Sequence, residues 1–153
     1  MRVSIQQHDF DLGTELAALH GNTGQAGALV SFVGLVRDFS NGKQIENIYL
    51  EHYPGMTEKA LNTIIDEATS RWQLINVRVI HRVGLLLPSE QIVLVATAAS
   101  HRPAAFAACE YIIDYLKTAA PFWKREQTSN TTHWLETRDS DEQRTARWEN
   151  KTA

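Results

Sequence analysis

Gln91-Ile92-Val93-Leu94-Val95-Ala96-Thr97-Ala98-Ala99-Ser100-His101-Arg102-Pro103-Ala104 is the stretch that decides the architecture. Residues 91–98 are apolar on both faces, as a strand covered on both sides must be. Ser100-His101-Arg102 interrupts the run, and Pro103 suits a helix start because its missing N–H would have no partner there. The helix is predicted to reach about Thr118, with Phe106, Cys109, Ile113 and Leu116 along one side. Ala119-Ala120-Pro121 ends it, since a residue before proline avoids the α region.

Working upstream, Ile75 to Arg82 alternates, with Ile75, Val77, Val79 and His81 on one face. Thr57 is placed to cap a helix running to about Trp72, whose apolar stripe is Leu61, Ile64, Ile65, Ala68 and Trp72. Met56 and Leu61 fit a hydrophobic staple around that cap. Ile45 to Tyr53 reads as a strand after the Asp38–Lys43 segment, which reads as a mobile loop. Ala28 to Val33 is a nearly unbroken apolar run, expected to be a buried strand. Asp11 to Leu19 reads as a short helix stopped by Gly21, after a first strand at Val3–Gln6. Downstream, Thr132 to Glu136 reads as a short strand, and Ser140-Asp141-Glu142-Gln143 has the capping-box pattern of a final helix. The order of elements is that of an α+β fold with mixed or antiparallel strands.

The 153 residues suit a single domain over 1–153, with a tail from about 138 read as mobile. A hydrophobic content of 43% is ordinary for a globular chain. No apolar run approaches the roughly 20 residues of a membrane helix. The N-terminus lacks a signal-peptide core, so a cytoplasmic location is expected. A formal charge of −3 argues against a general nucleic-acid binder. Any anion site must therefore be a local cluster. The lone Cys109 rules out an internal disulfide, and the six histidines lack metal-ligand spacing, so no metal is expected.

Three local clusters could carry chemistry. Ser100-His101-Arg102-Pro103 lies at a helix N-terminus, whose free N–H groups favour anions; alternatively, His101 caps the helix and Arg102 is solvated. Lys117 lies in the last helical turn, and the Ala-Ala-Pro break lets the chain fold back so that Lys124 can approach it. Two ammoniums held close disfavour double protonation, which leaves one amine free to act as base or nucleophile. The alternative is that Lys117 complements the helix dipole and Lys124-Arg125 is a solvated pair. Arg37 follows a strand end in Phe32-Val33-Gly34-Leu35-Val36-Arg37, where it could hold a phosphate bidentately or simply begin a surface loop. Cys109, spaced with Phe106 and Ile113, reads as a small buried hydrophobe. Arg138, Arg144 and Arg147 read as a solvated helix face.

Several segments, taken in order, resemble the family of molybdopterin synthase large (catalytic) subunits. They are Phe32-Val33-Gly34-Leu35-Val36-Arg37, Leu50-Glu51-His52-Tyr53-Pro54-Gly55-Met56, His81-Arg82-Val83-Gly84, Ser100-His101-Arg102, Asp114-Tyr115-Leu116-Lys117 and Pro121-Phe122-Trp123-Lys124-Arg125-Glu126. The resemblance implies an α/β hammerhead fold with an additional small antiparallel β-sheet. It implies a large-subunit homodimer within a heterotetramer, each half holding one ubiquitin-like small subunit that ends in Gly-Gly. The small subunit's C-terminal thiocarboxylate would supply two sulfurs that turn cyclic pyranopterin monophosphate into the dithiolene of molybdopterin. No tightly bound cofactor is implied, and the metal would be added later by other proteins.

By the same resemblance Lys117 and Lys124 are the catalytic pair. Leu35 and Val36 contribute their backbone to the substrate site. Arg37, with His101 and Arg102 from the neighbouring protomer, holds the pterin phosphate, and Arg125 and Glu126 line the pocket. Two other classes compete with this reading. A noncatalytic docking module for a ubiquitin-like tail would tolerate loss of Lys117. A nucleic-acid binder using Trp123-Lys124-Arg125 would show steep salt dependence.

Overall fold

The computed structural model describes residues 2–40, 42–128, 131–135 and 139–149. In chain order the elements are β1 (Val3–Gln6), α1 (Leu12–His20), β2 (Ala28–Leu35), β3 (Phe39–Ser40), β4 (Lys43–His52), α2 (Met56–Trp72), β5 (Asn76–Arg82), β6 (Gly84–Leu86), β7 (Gln91–Ala99), α3 (Arg102–Ala119), β8 (Phe122–Thr128), β9 (Thr132–Leu135) and α4 (Asp139–Glu149). They make an α+β fold with two sheets.

The first sheet has the order β1-β5-β7-β2, with β1 parallel to β5 and the other pairs antiparallel. Its interior strand β7 is buried on both faces, and the alternation of its side chains divides the core. Val93, Val95 and Ala99 face α2 and α3, in a cluster with Leu61, Ile65, Ala105 and Ile112. Leu94, Ala96 and Ala98 face α1, with Phe10, Leu19 and Ile80. Burying each large aliphatic side chain contributes roughly 1.5–3 kcal/mol, so this doubly covered strand anchors the molecule.

The second sheet has the order β3-β4-β8-β9, with β6 also paired to β4. Its small core is Val36, Ile45, Ile48, Leu50 and Leu86. The strand β8 was not foreseen from the sequence. It pairs with β4 in a register that sets Phe122 opposite His52 and Lys124 opposite Leu50.

Several sequence expectations need correction. The apolar run of β2 is an edge strand and largely exposed, not a buried strand. Residues 38–43 are not a plain loop: Phe39 and Ser40 pair with Gln44 and Lys43 in a hairpin. Helix α2 begins two residues early, with Gly55 as N-cap and its N–H donated to the Glu58 carboxylate. Thr57 is therefore not the cap, and Met56, 58% exposed, forms no staple. Instead the Thr57 hydroxyl accepts from the Tyr53 N–H and donates to the Pro121 carbonyl at 2.8 Å, tying α2 to the turn that launches β8. Phe106 is 61% exposed rather than packed with Cys109. Ser140 lies inside α4, not at its cap. Arg144 and Arg147 are not merely solvated, since both bind the buried Asp114; Arg138 and Glu136 lie outside the described residues.

Candidate functional site

Helix α3 retraces β7. The Thr97 hydroxyl donates to the Ala105 carbonyl, and one turn on the Cys109 thiol donates to the Val95 carbonyl. The helix therefore starts beside the Ala28–Ala99 rung and ends toward the Leu35–Gln91 rung. That path carries Lys117, in the last turn, to the end of the sheet where β2 delivers Leu35, Val36 and Arg37. The chain breaks at Ala120, in extended geometry, and β8 runs back through the same region.

Lys117 lines a groove of roughly 480 Å³ between α3 and β2, which also includes Phe32, Phe106, Ile113 and Asp114. Lys124 lines a neighbouring narrow cleft with Leu35, Val36, Arg37 and Glu126. A buried histidine, His81, lies within electrostatic reach of Lys117. His81 stacks on Phe122 with ring centroids 3.8 Å apart. Its pKa is pulled down to about 3, first by burial and further by the charges of Lys117 and His52. Phe122 and Lys124, two residues apart on one strand, project to the same face. Arg37 and Lys124 thus share one cleft, while Lys117 lies in the separate groove along α3.

Arg125 goes elsewhere. Alternation turns it to the opposite face of β8, where its guanidinium lies 4.9 Å from the Tyr49 ring centre and 5.5 Å from that of Trp134. Glu126 returns to the cleft side with Lys124 and is buried. His101 and Arg102 stand at the far end of α3. Fifteen residues of helix separate Arg102 from Lys117, roughly 22 Å. His101 is the N-cap but makes no side-chain capping bond. The Cys109 thiol is buried and its pKa is pushed up to about 12 by burial and the nearby Glu110 charge, which leaves it a poor nucleophile.

The sequence profile of the MoaE protein family matches residues 5–119. The chain belongs to that family. It is 56% identical over 146 residues to a molybdopterin synthase catalytic subunit from Ralstonia nicotianae, covering 95% of this chain and 83% of the relative. It is 55% identical to the protein of that name from Vibrio cholerae, covering 97% and 98%. A solved molybdopterin biosynthesis MoaE protein from Burkholderia ambifaria superposes with a TM-score of 0.84 at 52% identity, covering 98% and 99% of the two chains. The motifs that carry the resemblance in the sequence therefore sit on a MoaE fold, and the relatives extend through β8 and its lysine.

Two features escaped the sequence reading. His81 is packed and hydrogen-bonded, as its strand position suggests, but the charges of Lys117 and His52 that act on it could not be read from the sequence. Asp114 and Glu110 were passed over, although Asp114 stands three residues before Lys117, on the same side of the helix. Among the described residues, no group of three or more His, Cys, Asp or Glu could hold a metal ion, and no helix is long and apolar enough to cross a membrane.

Proposed function

We propose that this MoaE-family chain is the catalytic large subunit of a molybdopterin synthase, a sulfurtransferase of molybdenum cofactor biosynthesis working in the cytoplasm. It accepts the C-terminal thiocarboxylate of a ubiquitin-like small subunit and directs two such sulfurs onto cyclic pyranopterin monophosphate. The observation that carries the reading is the pairing of Arg37 with Lys124 in one cleft, with Lys117 in a groove along α3, in a chain whose net charge is −3. Thiocarboxylate and substrate phosphate are both anionic, and a local cationic cluster suits both. The relatives' name, a catalytic subunit, itself calls for a second subunit.

In this reading Lys117 takes the covalent or base role toward the thiocarboxylate or the substrate. The groove beside it, apolar along Phe32, Phe106 and Ile113, suits an extended tail. Lys124, in the Arg37 cleft, steers the anion and stabilises developing negative charge. Leu35 and Val36 shape that cleft, and Glu126 fixes its polar wall. Arg125 supports the cleft from the opposite face of β8.

His101 and Arg102 serve the neighbouring protomer's site. Their distance from Lys117 along α3 supports this. So does the edge strand β2, which exposes Leu29, Phe32 and Leu35, with Phe32 in the same groove as Phe106. Two such edges paired antiparallel about a twofold axis bring the start of one α3 toward the Arg37 end of its partner.

The test is single-turnover conversion of the cyclic pterin phosphate with a thiocarboxylated small subunit, with the carboxylate form as control. Dithiolene should form only with the thiocarboxylate, and Lys117→Ala should slow it by at least about 100-fold while keeping the fold. No conversion alongside tight small-subunit binding would replace this reading with a noncatalytic docking module.

A further inference from the structure

Asp114 is 5% exposed, yet it is surrounded by donors from a helix that follows it by more than 20 residues in sequence. Its Oδ1 accepts from Arg144 Nε at 3.0 Å. Its Oδ2 accepts from Arg147 Nη2 at 3.0 Å and from Trp148 Nε1 at 2.7 Å. The backbone of the same turn is held as well: the Thr145 hydroxyl donates to the Asp114 carbonyl at 3.2 Å and lies 3.0 Å from the Thr118 hydroxyl. Glu110, one turn earlier, takes Arg144 at 2.6 Å and Arg147 at 2.5 Å. Trp148 is buried edge-on against Trp72 and Tyr111.

The contacts to Asp114 and Thr118 fall on the turn that contains Lys117, and those to Glu110 and Tyr111 on the turn before it. A C-terminal helical turn is the part of a helix that frays most readily, because its last carbonyls lack helical partners. Here α4 sutures that turn, and Asp141 and Arg144 complete the wall of the groove in which Lys117 lies. A solvated helix would need no buried carboxylate to seat it. We infer that Asp114 is a positioning residue: by clasping α4 it fixes the last turn of α3 and sets the pose of the Lys117 amine. This rests on Lys117 being the reactive amine of the preceding section.

The test uses full-length protein, with Asp114→Asn to weaken the clasp and an oxidised Thr118→Cys/Thr145→Cys pair to close it independently. Two readouts are followed. One is single-turnover rate against pterin concentration; the other is the acetylation rate of Lys117 by an N-hydroxysuccinimide ester, read by peptide mass spectrometry. Asp114→Asn should lower the maximal rate at least 10-fold, with the half-saturating concentration within twofold of the parent, and should change Lys117 acetylation at least threefold. Oxidising the cysteine pair in the Asp114→Asn background should restore both values to within twofold, and reduction should abolish the rescue.

If Asp114→Asn does not fold, Arg144→Ala/Arg147→Ala, made from the solvent side of the clasp, takes its place. Parent-like rate and acetylation in the variant, or no rescue after verified cross-linking, would overturn the inference. If the parent itself transfers no sulfur, the functional reading fails. Acetylation then decides the clasp alone: a change reversed by the cross-link supports it, and an unchanged rate overturns it.

Discussion

His81 is buried, and its Nδ1 lies 2.8 Å from the Arg82 carbonyl. A carbonyl only accepts, so Nδ1 carries the hydrogen, and it is burial that keeps the ring neutral. Burial lowers its pKa from 6.5 to about 3. Between those values the unfolded chain binds a proton that the folded chain refuses, so stability falls as pH drops from about 6.5 toward 3. The urea midpoint should therefore decline on acidification from pH 7 to 4. His81→Gln should flatten that slope by up to one proton, about 1.4 kcal/mol per pH unit. Equal slopes in the two proteins would show that another group titrates. Asp9 and Asp11 act in a lower window. Asp9 is held below its ordinary value first by its bond from Gln91, and Asp11 by the Thr14 N–H. Their contribution is present above about 3.8 and is lost as pH falls below it. Cys109 was legible from its spacing as a buried hydrophobe, and His81 as a packed or hydrogen-bonded strand residue, but the charges around His81 were not, because alternation shows which face a residue takes and not which charges wait there.

At the scale of elements, β7 and α3 could be read directly, since a doubly apolar run followed by a proline-marked helix start leaves few alternatives. The strand β2 misled because its composition matches that of a covered strand, while its place at the sheet edge is set by pairing partners remote in sequence. The strand β8 was illegible for the opposite reason: Lys124, Arg125, Glu126 and Gln127 give it no apolar period, and its extended form is imposed by β4 and β9. A helix end and a proline break suggested the lysine pair, whereas the placement of Lys124 beside Arg37 needed β8 in place. The junction between β2 and α3 has its own requirement. Gly27 donates to the Ala99 carbonyl at 2.9 Å, and a β-carbon on it would run into the Ser100 carbonyl oxygen. Gly27→Ala should destabilise by about 1–3 kcal/mol, as overpacking does, seen as a lower urea midpoint with an unchanged m-value. An unchanged midpoint would mean that the junction relaxes freely.

For the whole molecule, the separation of His101 and Arg102 from Lys117 turns a question of chemistry into one of assembly. If the site is shared, Arg102→Ala and Lys117→Ala should each be inactive alone. Confirmed mixed dimers of the two should recover a substantial part of one site's activity, up to about half of the parent if the two sites work independently. Absence of recovery would place the whole site within one chain. The clasp on Asp114 constrains the molecule over a different span, that of sequence change. Of the Asp114 carboxylate, its two guanidiniums and the Trp148 indole, only the carboxylate and the indole are buried, so leaving the carboxylate without its partners costs more than trimming either half-exposed guanidinium. A sequence that keeps the fold but loses Asp114 is thus expected to change Trp148 with it, which ties the inheritance of helix α4 to that of the lysine turn.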